Sequence, residues 1–456
     1  MKRVSLKCML ATLCLASLAG AADLQINIQT TADQKDPDLA VNLDGRSVVV
    51  WNSYGQDGSS GGIFASCIDP NGLVGQEFQV NATATGNQAE PAVALDGRGC
   101  FLVAWRGPWP ESDAEDIVAR LFDPNGRPLT EDIHVNTHTA ANQGIPRIAA
   151  CADGRFIVVW ESDSSPTVSR LCIRGQLYDQ AGNPIGSEIA VSDTSYPDRY
   201  PDVAMDSQGR FAVSWLEDRT TDSVRVRLFD ALGAPQGPSL KVNSIGLKAL
   251  AWPSTAMNAD GAFVVAWDGD PNKASEDDIH ARIYQADGTP LGDEFLVNTT
   301  RPGAQVNPRV AVNSRGEFIV VWENSSADPN GGTDVVGQRF RATGERLGNE
   351  FRLNVYATGD QGQPDVSLAD TGRFVAVWES LGQDGSGSGI FGTTGPQPLS
   401  ADLNADGTID FLDYQGLASQ WMEAGPGLSG DLMDDEVIDW IDLAAFCNQW
   451  LTAGPS

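Results

Sequence analysis

The sequence predicts an all-β fold, a seven-bladed β-propeller of four-stranded blades, and three observations predict it. Seven tryptophans recur every 52 to 56 residues: Trp51, Trp105, Trp160, Trp215, Trp267, Trp322 and Trp378. A proline stands fourteen residues before each (Pro37, Pro91, Pro146, Pro201, Pro253, Pro308 and Pro364). A glycine stands six before each (Gly45, Gly99, Gly154, Gly209, Gly261, Gly316 and Gly372). At about 5% proline in ordinary protein, seven chance matches are on the order of one in a billion. One supersecondary unit is therefore repeated seven times.

The repeat from Pro201 to Asn243 predicts each element in turn. Pro201–Met205 is a short strand, and Gln208-Gly209 a tight turn, because glycine accepts the positive φ that hairpins need. Phe211–Trp215 is a second strand, apolar on both faces, closed by the tryptophan. A strand of that kind must be covered on both sides. A polar loop leads to Val224–Phe229, which alternates as a half-exposed strand does. Asp230–Gly233 turns the chain into a fourth strand, Ser239–Asn243. Such a sheet covers both faces of its central strand only by stacking on neighbours, as propeller blades do. A row of tandem β-sandwiches is the competing architecture, but a sandwich usually takes about 100 residues. The tryptophans are expected between blades.

The ends of the array predict how the ring closes. Leu24–Ile28 matches a fourth strand such as Glu77–Asn81, and Asn27 precedes Pro37 by the same ten residues as Asn81 precedes Pro91. The seventh repeat has three strands, ending near Ile390-Phe391. The N-terminal strand should complete it, leaving no open edge.

Residues 1–22 carry a basic start, an apolar run from Met9 to Leu18 and the small residues Ala19-Gly-Ala-Ala22. This is the pattern of a secretory signal peptide and predicts a secreted, extracellular or cell-surface protein. The expected organisation is a propeller over 23–394, a linker over 395–400 and a second module over 401–452. The net charge of −31 disfavours nucleic-acid and anionic-lipid partners and suits cation binding. The five cysteines after the signal (Cys67, Cys100, Cys151, Cys172 and Cys447) form neither a disulfide framework nor a metal-ligand spacing.

The second module is a candidate Ca²⁺ site. Asp402, Asn404, Asp406, Asp410 and Asp413 occupy positions 1, 3, 5, 9 and 12 of an EF-hand-like loop, with Gly407 at the bend and the Thr408 carbonyl at position 7. Calcium takes 6–8 oxygen ligands, and this spacing supplies them from one short loop. A helix should follow, through Tyr414 to Trp421. The unit recurs with Asp431, Asp435, the Val437 carbonyl, Asp439 and Asp442. Its third position is Met433, a poor calcium ligand, so this site is the weaker one. Paired loop–helix units of this kind resemble a type I dockerin domain. The resemblance implies calcium binding and a cohesin-type protein partner contacted by loop positions 10 and 11, here Phe411, Leu412, Trp440 and Ile441. These pairs are more apolar than the hydroxyl-rich ones of cellulosomal dockerins. The runs Gly55–Gly58 to Phe64 and Gly382–Gly385 to Phe391 resemble tandem repeats of large secreted or surface bacterial proteins, which implies fold but no catalytic residues.

No catalytic residues are predicted in the propeller. His134, His138 and His280 have no sequence neighbour at a nucleophile–base spacing. Arg120, Arg227 and Arg282 share one repeat position and are expected to be solvated. Acids fill the loops between second and third strands, among them Glu111, Asp113, Glu115, Asp116, Glu161, Glu217, Asp268 and Asp334. Acids spread through every blade are expected to be solvated, with ordinary pKa values. The loop face is nevertheless where function should sit. Trp109 and Trp252, the two propeller tryptophans outside the repeat position, are its candidate ligand contacts. The predicted function is non-catalytic binding or adhesion by the propeller, attached through the calcium-dependent module. The alternative is a carbohydrate-active enzyme, a glycoside hydrolase or lyase acting on extracellular polysaccharide, which would need an asymmetric acidic cluster at the channel mouth.

Overall fold

The computed structural model describes residues 23–395 apart from 43–44, 71, 113, 164–169, 194, 220, 245–251, 270–276, 301–302, 326–331 and 371, together with scattered residues between 414 and 443. The described chain forms seven four-stranded antiparallel sheets, six of them ordered as the sequence runs. Residues from all seven first strands line one central cavity, so the sheets close into a propeller around a channel. The seventh sheet takes its fourth strand from the N-terminus: Leu24 pairs with Gly392 and Gln25 with Phe391. The Ile26 N–H then donates to the Ile390 carbonyl at 2.8 Å.

Blade four shows why these residues make these elements. Its strands are Asp198–Met205, Phe211–Glu217, Ser223–Phe229 and Leu240–Lys241. Gly209, at φ 83°, ends a turn in which its N–H donates to the Asp206 carbonyl at 3.1 Å. The second strand is buried at all seven positions. The strand runs two residues past Trp215 rather than ending there, because Glu217 still pairs with Ser223. All seven repeat tryptophans are at most 1% exposed. Trp215 packs on Val159 and Ile173 of blade three, and Trp51 on Val377 and Ile390 of blade seven, so the tryptophans are the inter-blade core.

The first strand departs from the expected one. It begins at Asp198, three residues before Pro201, and the register slips between Arg199 and Asp202. Proline has no N–H for the ladder, and a bulge accommodates it. In six blades the residue before this proline takes a left-handed conformation: Asp36, Glu90, Ile145, Tyr200, Asn307 and Gln363, with φ between 48° and 56°. The fourth strand is shorter than expected, pairing only through Leu240 and Lys241. Its asparagine does the rest: Asn243 Oδ1 accepts the Val224 N–H at 2.9 Å, as Asn81 accepts Ile63 and Asn27 accepts Ile390, both at 2.8 Å.

Arg120, Arg227 and Arg282 are not solvated strand residues. Each donates from Nη1 to a fourth-strand carbonyl of the preceding blade (Val80, Val191 and Val242, at 2.9, 2.9 and 3.0 Å). Each guanidinium also lies over an aromatic ring two residues on, at 5.6 to 5.8 Å. They staple blade to blade at the periphery.

The signal segment 1–22 and linker residues 396–400 lie outside the described residues. So do Asp402, Asn404, Asp406, Thr408, Asp410, Asp413, Asp431, Asp435, Val437 and Asp439, and with them Phe411, Leu412, Trp440 and Ile441. Of the metal-ligand candidates only Asp442 is described, and it is buried. Tyr414, Leu417 and Ala418 are helical individually, without an element being described.

Candidate functional site

In six blades the bulge before the proline leaves a left-handed residue whose N–H is turned out of the ladder. Acids collect these donors near the channel mouth, at the end of the first strands nearest the loop face. Glu161, directly after Trp160, accepts the Tyr200 N–H of the next blade at 2.6 Å. Glu323 accepts the Gln363 N–H at 2.7 Å, Glu379 the Asp36 N–H and Glu90 the Ile145 N–H, both at 2.8 Å. Asp268 accepts the Trp252 N–H within its own blade at 2.8 Å.

Glu161, Asp268 and Glu379 are not ordinary solvated carboxylates. Glu161 is 7% exposed and Asp268 3% exposed. Burial pushes Glu161 up to about 7, although the Tyr200 N–H favours its charged form. Burial likewise pushes Asp268 and Glu379 up to about 7. Asp116, Glu217 and Asp334, also expected to be solvated, are fully buried. The residue after each tryptophan still belongs to the second strand, which is why sequence position alone misplaces it in a solvated loop. Asp113, Asp270, Glu276 and Asp328 lie outside the described residues.

One sector of the mouth differs from the rest. Between Glu161 and Asp268 the Tyr200 and Trp252 rings stack, with centroids 4.0 Å apart and planes at 22°. Glu161 holds the Tyr200 backbone and Asp268 the Trp252 backbone. Two carboxyls that titrate near neutrality thus flank one partly exposed aromatic pair across blades three to five. Trp252 was legible in sequence as a loop-face contact. Tyr200, Glu161 and Asp268 become a group only when blades are stacked.

Trp109, the other predicted contact, packs on the core between blades one and two and stacks on His134 at 4.6 Å. His134 is not unpartnered: its Nε2 lies 3.4 Å from Asp116 Oδ1, which also accepts from Asn136 Nδ2 at 2.5 Å. Pairing of Val118 with His134 brings these sequence-distant groups together. Burial alone would raise Asp116, but hydrogen bonds from His134, Asn136 and Ser112 outweigh it and hold the carboxyl below its usual range. A carboxylate held charged beneath a stacked tryptophan is a structural anchor and a poor proton donor. Among the described residues no group of three or more His, Cys, Asp or Glu side chains is arranged to hold a metal ion.

No protein-family model matches the sequence, and no curated protein matches it. Solved structures do. An ulvan lyase of a polysaccharide-lyase family superposes with a TM-score of 0.50 at 10% identity, covering 81% of this chain and 94% of its own. An α-L-arabinanase from Penicillium chrysogenum gives 0.47 at 12% identity, covering 67% and 93%. The NanB sialidase from Streptococcus pneumoniae gives 0.45 at 10% identity, covering 81% and 69%. The likeness to the lyase shows a shared fold.

Proposed function

We propose that this chain is a glycan-acting enzyme whose active centre is the channel mouth between Glu161 and Asp268. The observation that carries this reading is the pair of carboxyls near pKa 7 beside the Tyr200–Trp252 stack. An aromatic face holds a sugar ring by its apolar side, and a carboxyl poised near neutrality can give a proton to a glycosidic oxygen or take one from water. This is the asymmetric cluster that catalysis, unlike adhesion, requires. The propeller neighbours, an ulvan lyase, an arabinanase and a sialidase by name, accord with the choice of substrate class. Hydrolysis is favoured over β-elimination on one point. Elimination by a tyrosine base would need a lowered phenol pKa, and burial, with Glu161 beside it, pushes Tyr200 up.

The test is release of reducing ends from a panel of extracellular polysaccharides, run beside ultraviolet detection of unsaturated ends. Glu161→Gln and Asp268→Asn should each lower release by about 10²-fold or more, with melting curves confirming that both fold. Unsaturated ends would mean a lyase. Binding of glycan without cleavage, unchanged in both variants, would return the propeller to adhesion.

The reading includes export and a calcium-binding tail. The leader pattern of residues 1–22 supports secretion. The oxygen spacing from Asp402 to Asp413, with the weaker set from Asp431 to Asp442, supports two calcium sites. Phe411, Leu412, Trp440 and Ile441 would then meet a cohesin-like partner and tether the enzyme.

A further inference from the structure

Below the mouth, the residues that follow the repeat prolines break the sevenfold pattern in a second way. Asp38, Arg147, Asp202, Ser254, Arg309 and Asp365 line a cavity of about 290 Å³ at the centre of the channel. The three aspartates have a structural task. Each accepts a backbone N–H from the adjoining blade: Asp38 from Val93 at 2.7 Å, Asp202 from Thr255 and Asp365 from Leu39, both at 2.6 Å. Ser254 Oγ accepts from Val310 at 3.2 Å in the same way.

The two arginines cannot take that task, since a guanidinium accepts nothing. Each donates once, to the carbonyl of the proline before it: Arg147 to Pro146 at 2.9 Å and Arg309 to Pro308 at 3.1 Å. A guanidinium has five N–H donors. No other hydrogen bond or salt bridge of either arginine is found among the described residues. Burial, and then the charge of Arg147, disfavours the charged form of Arg309. The aspartates offset this poorly, because burial also drives them toward neutrality: Asp38 up to about 6, Asp202 above its ordinary value and Asp365 well above. Two guanidiniums with spare donors face one space, and the three aspartates that line it with them each accept a backbone N–H.

We propose that the channel centre binds a carboxylate of monosaccharide size, a uronate, between Arg147 and Arg309. A carboxylate offers two oxygens to a planar guanidinium fork, the geometry in which arginine binds most strongly. At about 30 Å³ per water, the cavity has room for roughly ten waters, more than a bare ion needs. The uronate can arrive free or as the end of a chain. The site stands without any reaction at the mouth.

The test uses the full chain carrying Glu161→Gln, so that turnover contributes nothing. Glucuronate, a glucuronate-terminated disaccharide and glucose are titrated by calorimetry in a buffer free of other small acids. At least one acidic sugar is expected to bind tenfold or more tightly than glucose. Binding of both acids means that the free acid suffices, whereas binding of the disaccharide alone identifies a chain end. Arg147→Lys and Arg309→Lys keep the charge but lose the fork, and should each weaken binding about tenfold. No binding of either acid, equal binding of glucose, or acid binding unchanged in both lysine variants would overturn the site. Intact binding in a protein that cleaves no glycan would leave this site standing and sink the proposed activity.

Discussion

Single residues carry the strain and the charge of this molecule. Ile145, β-branched, sits at φ 50°, where an L-residue loses about 1–2 kcal/mol. Ile145→Gly removes that strain at an entropic cost of about 0.5–1 kcal/mol. The variant should be more stable by up to about 1 kcal/mol, read as a later midpoint in urea; an earlier midpoint would show that the lost side-chain packing dominates. Charge gives a second prediction. Glu161, Asp268 and Glu379 titrate near 7 in the folded chain, above the ordinary carboxylate range of about 4 that they regain on unfolding. The folded state therefore binds more protons between those values, and their contribution is fully present below about pH 4 and lost as pH rises through 7. At about 1.4 kcal/mol per pH unit, a rise of about three units amounts to about 4 kcal/mol for each group. The melting temperature should fall between pH 5 and 8, and Glu379→Gln should flatten part of that slope; an unchanged slope would place its titration in the ordinary range. The tryptophans were legible in sequence because every blade repeats them, and the asparagines because every blade but the third, which has Ser192, does. Glu161 and Asp268 were not, because each is buried against a first-strand backbone, that of Tyr200 and of Trp252, which the sequence alone does not place beside it.

At the scale of elements, hairpins and closure were readable, and the way blades hold one another was not. A strand apolar on both faces announces that it will be covered, and the matched ten-residue spacings announced that Leu24–Gln25 belongs to the last blade. An arginine at a repeat position reads equally well as solvated or as a staple. Only the adjoining blade, with its fourth-strand carbonyl in place, decides between them. Deleting Asp23–Ile28 should remove both the edge pairing and Ile26, which is 1% exposed. We expect a loss of several kcal/mol, since a buried Ile alone contributes about 2 kcal/mol, together with aggregation through the bared edge of Ser388–Gly395. Melting curves and light scattering read both; a melt within a degree or two of the parent would contradict the closure.

For the whole molecule, repetition makes the fold legible and broken repetition makes the site. The eleven acids of residues 400–456, with no Lys or Arg among them, repel one another until a cation intervenes. Calcium at ten times its dissociation constant should stabilise a one-site module by about 1.4 kcal/mol. On the full chain it should protect the tail from proteolysis, more through the loop starting at Asp402 than through that starting at Asp431. Cleavage of the tail at the same rate with calcium or chelator would refute the site.

The order of the seventh sheet also settles how the molecule bears load. The strand Ser388–Gly395, from which the C-terminal segment departs, lies between Phe374–Leu381 and the N-terminal Leu24–Gln25. A pull arriving from that segment acts on an interior strand gripped along both sides, and must shear two ladders at once. A pull on the N-terminus peels an edge strand two residues long. A tether on the C-terminal side would load the stronger attachment and leave the weak edge without tension.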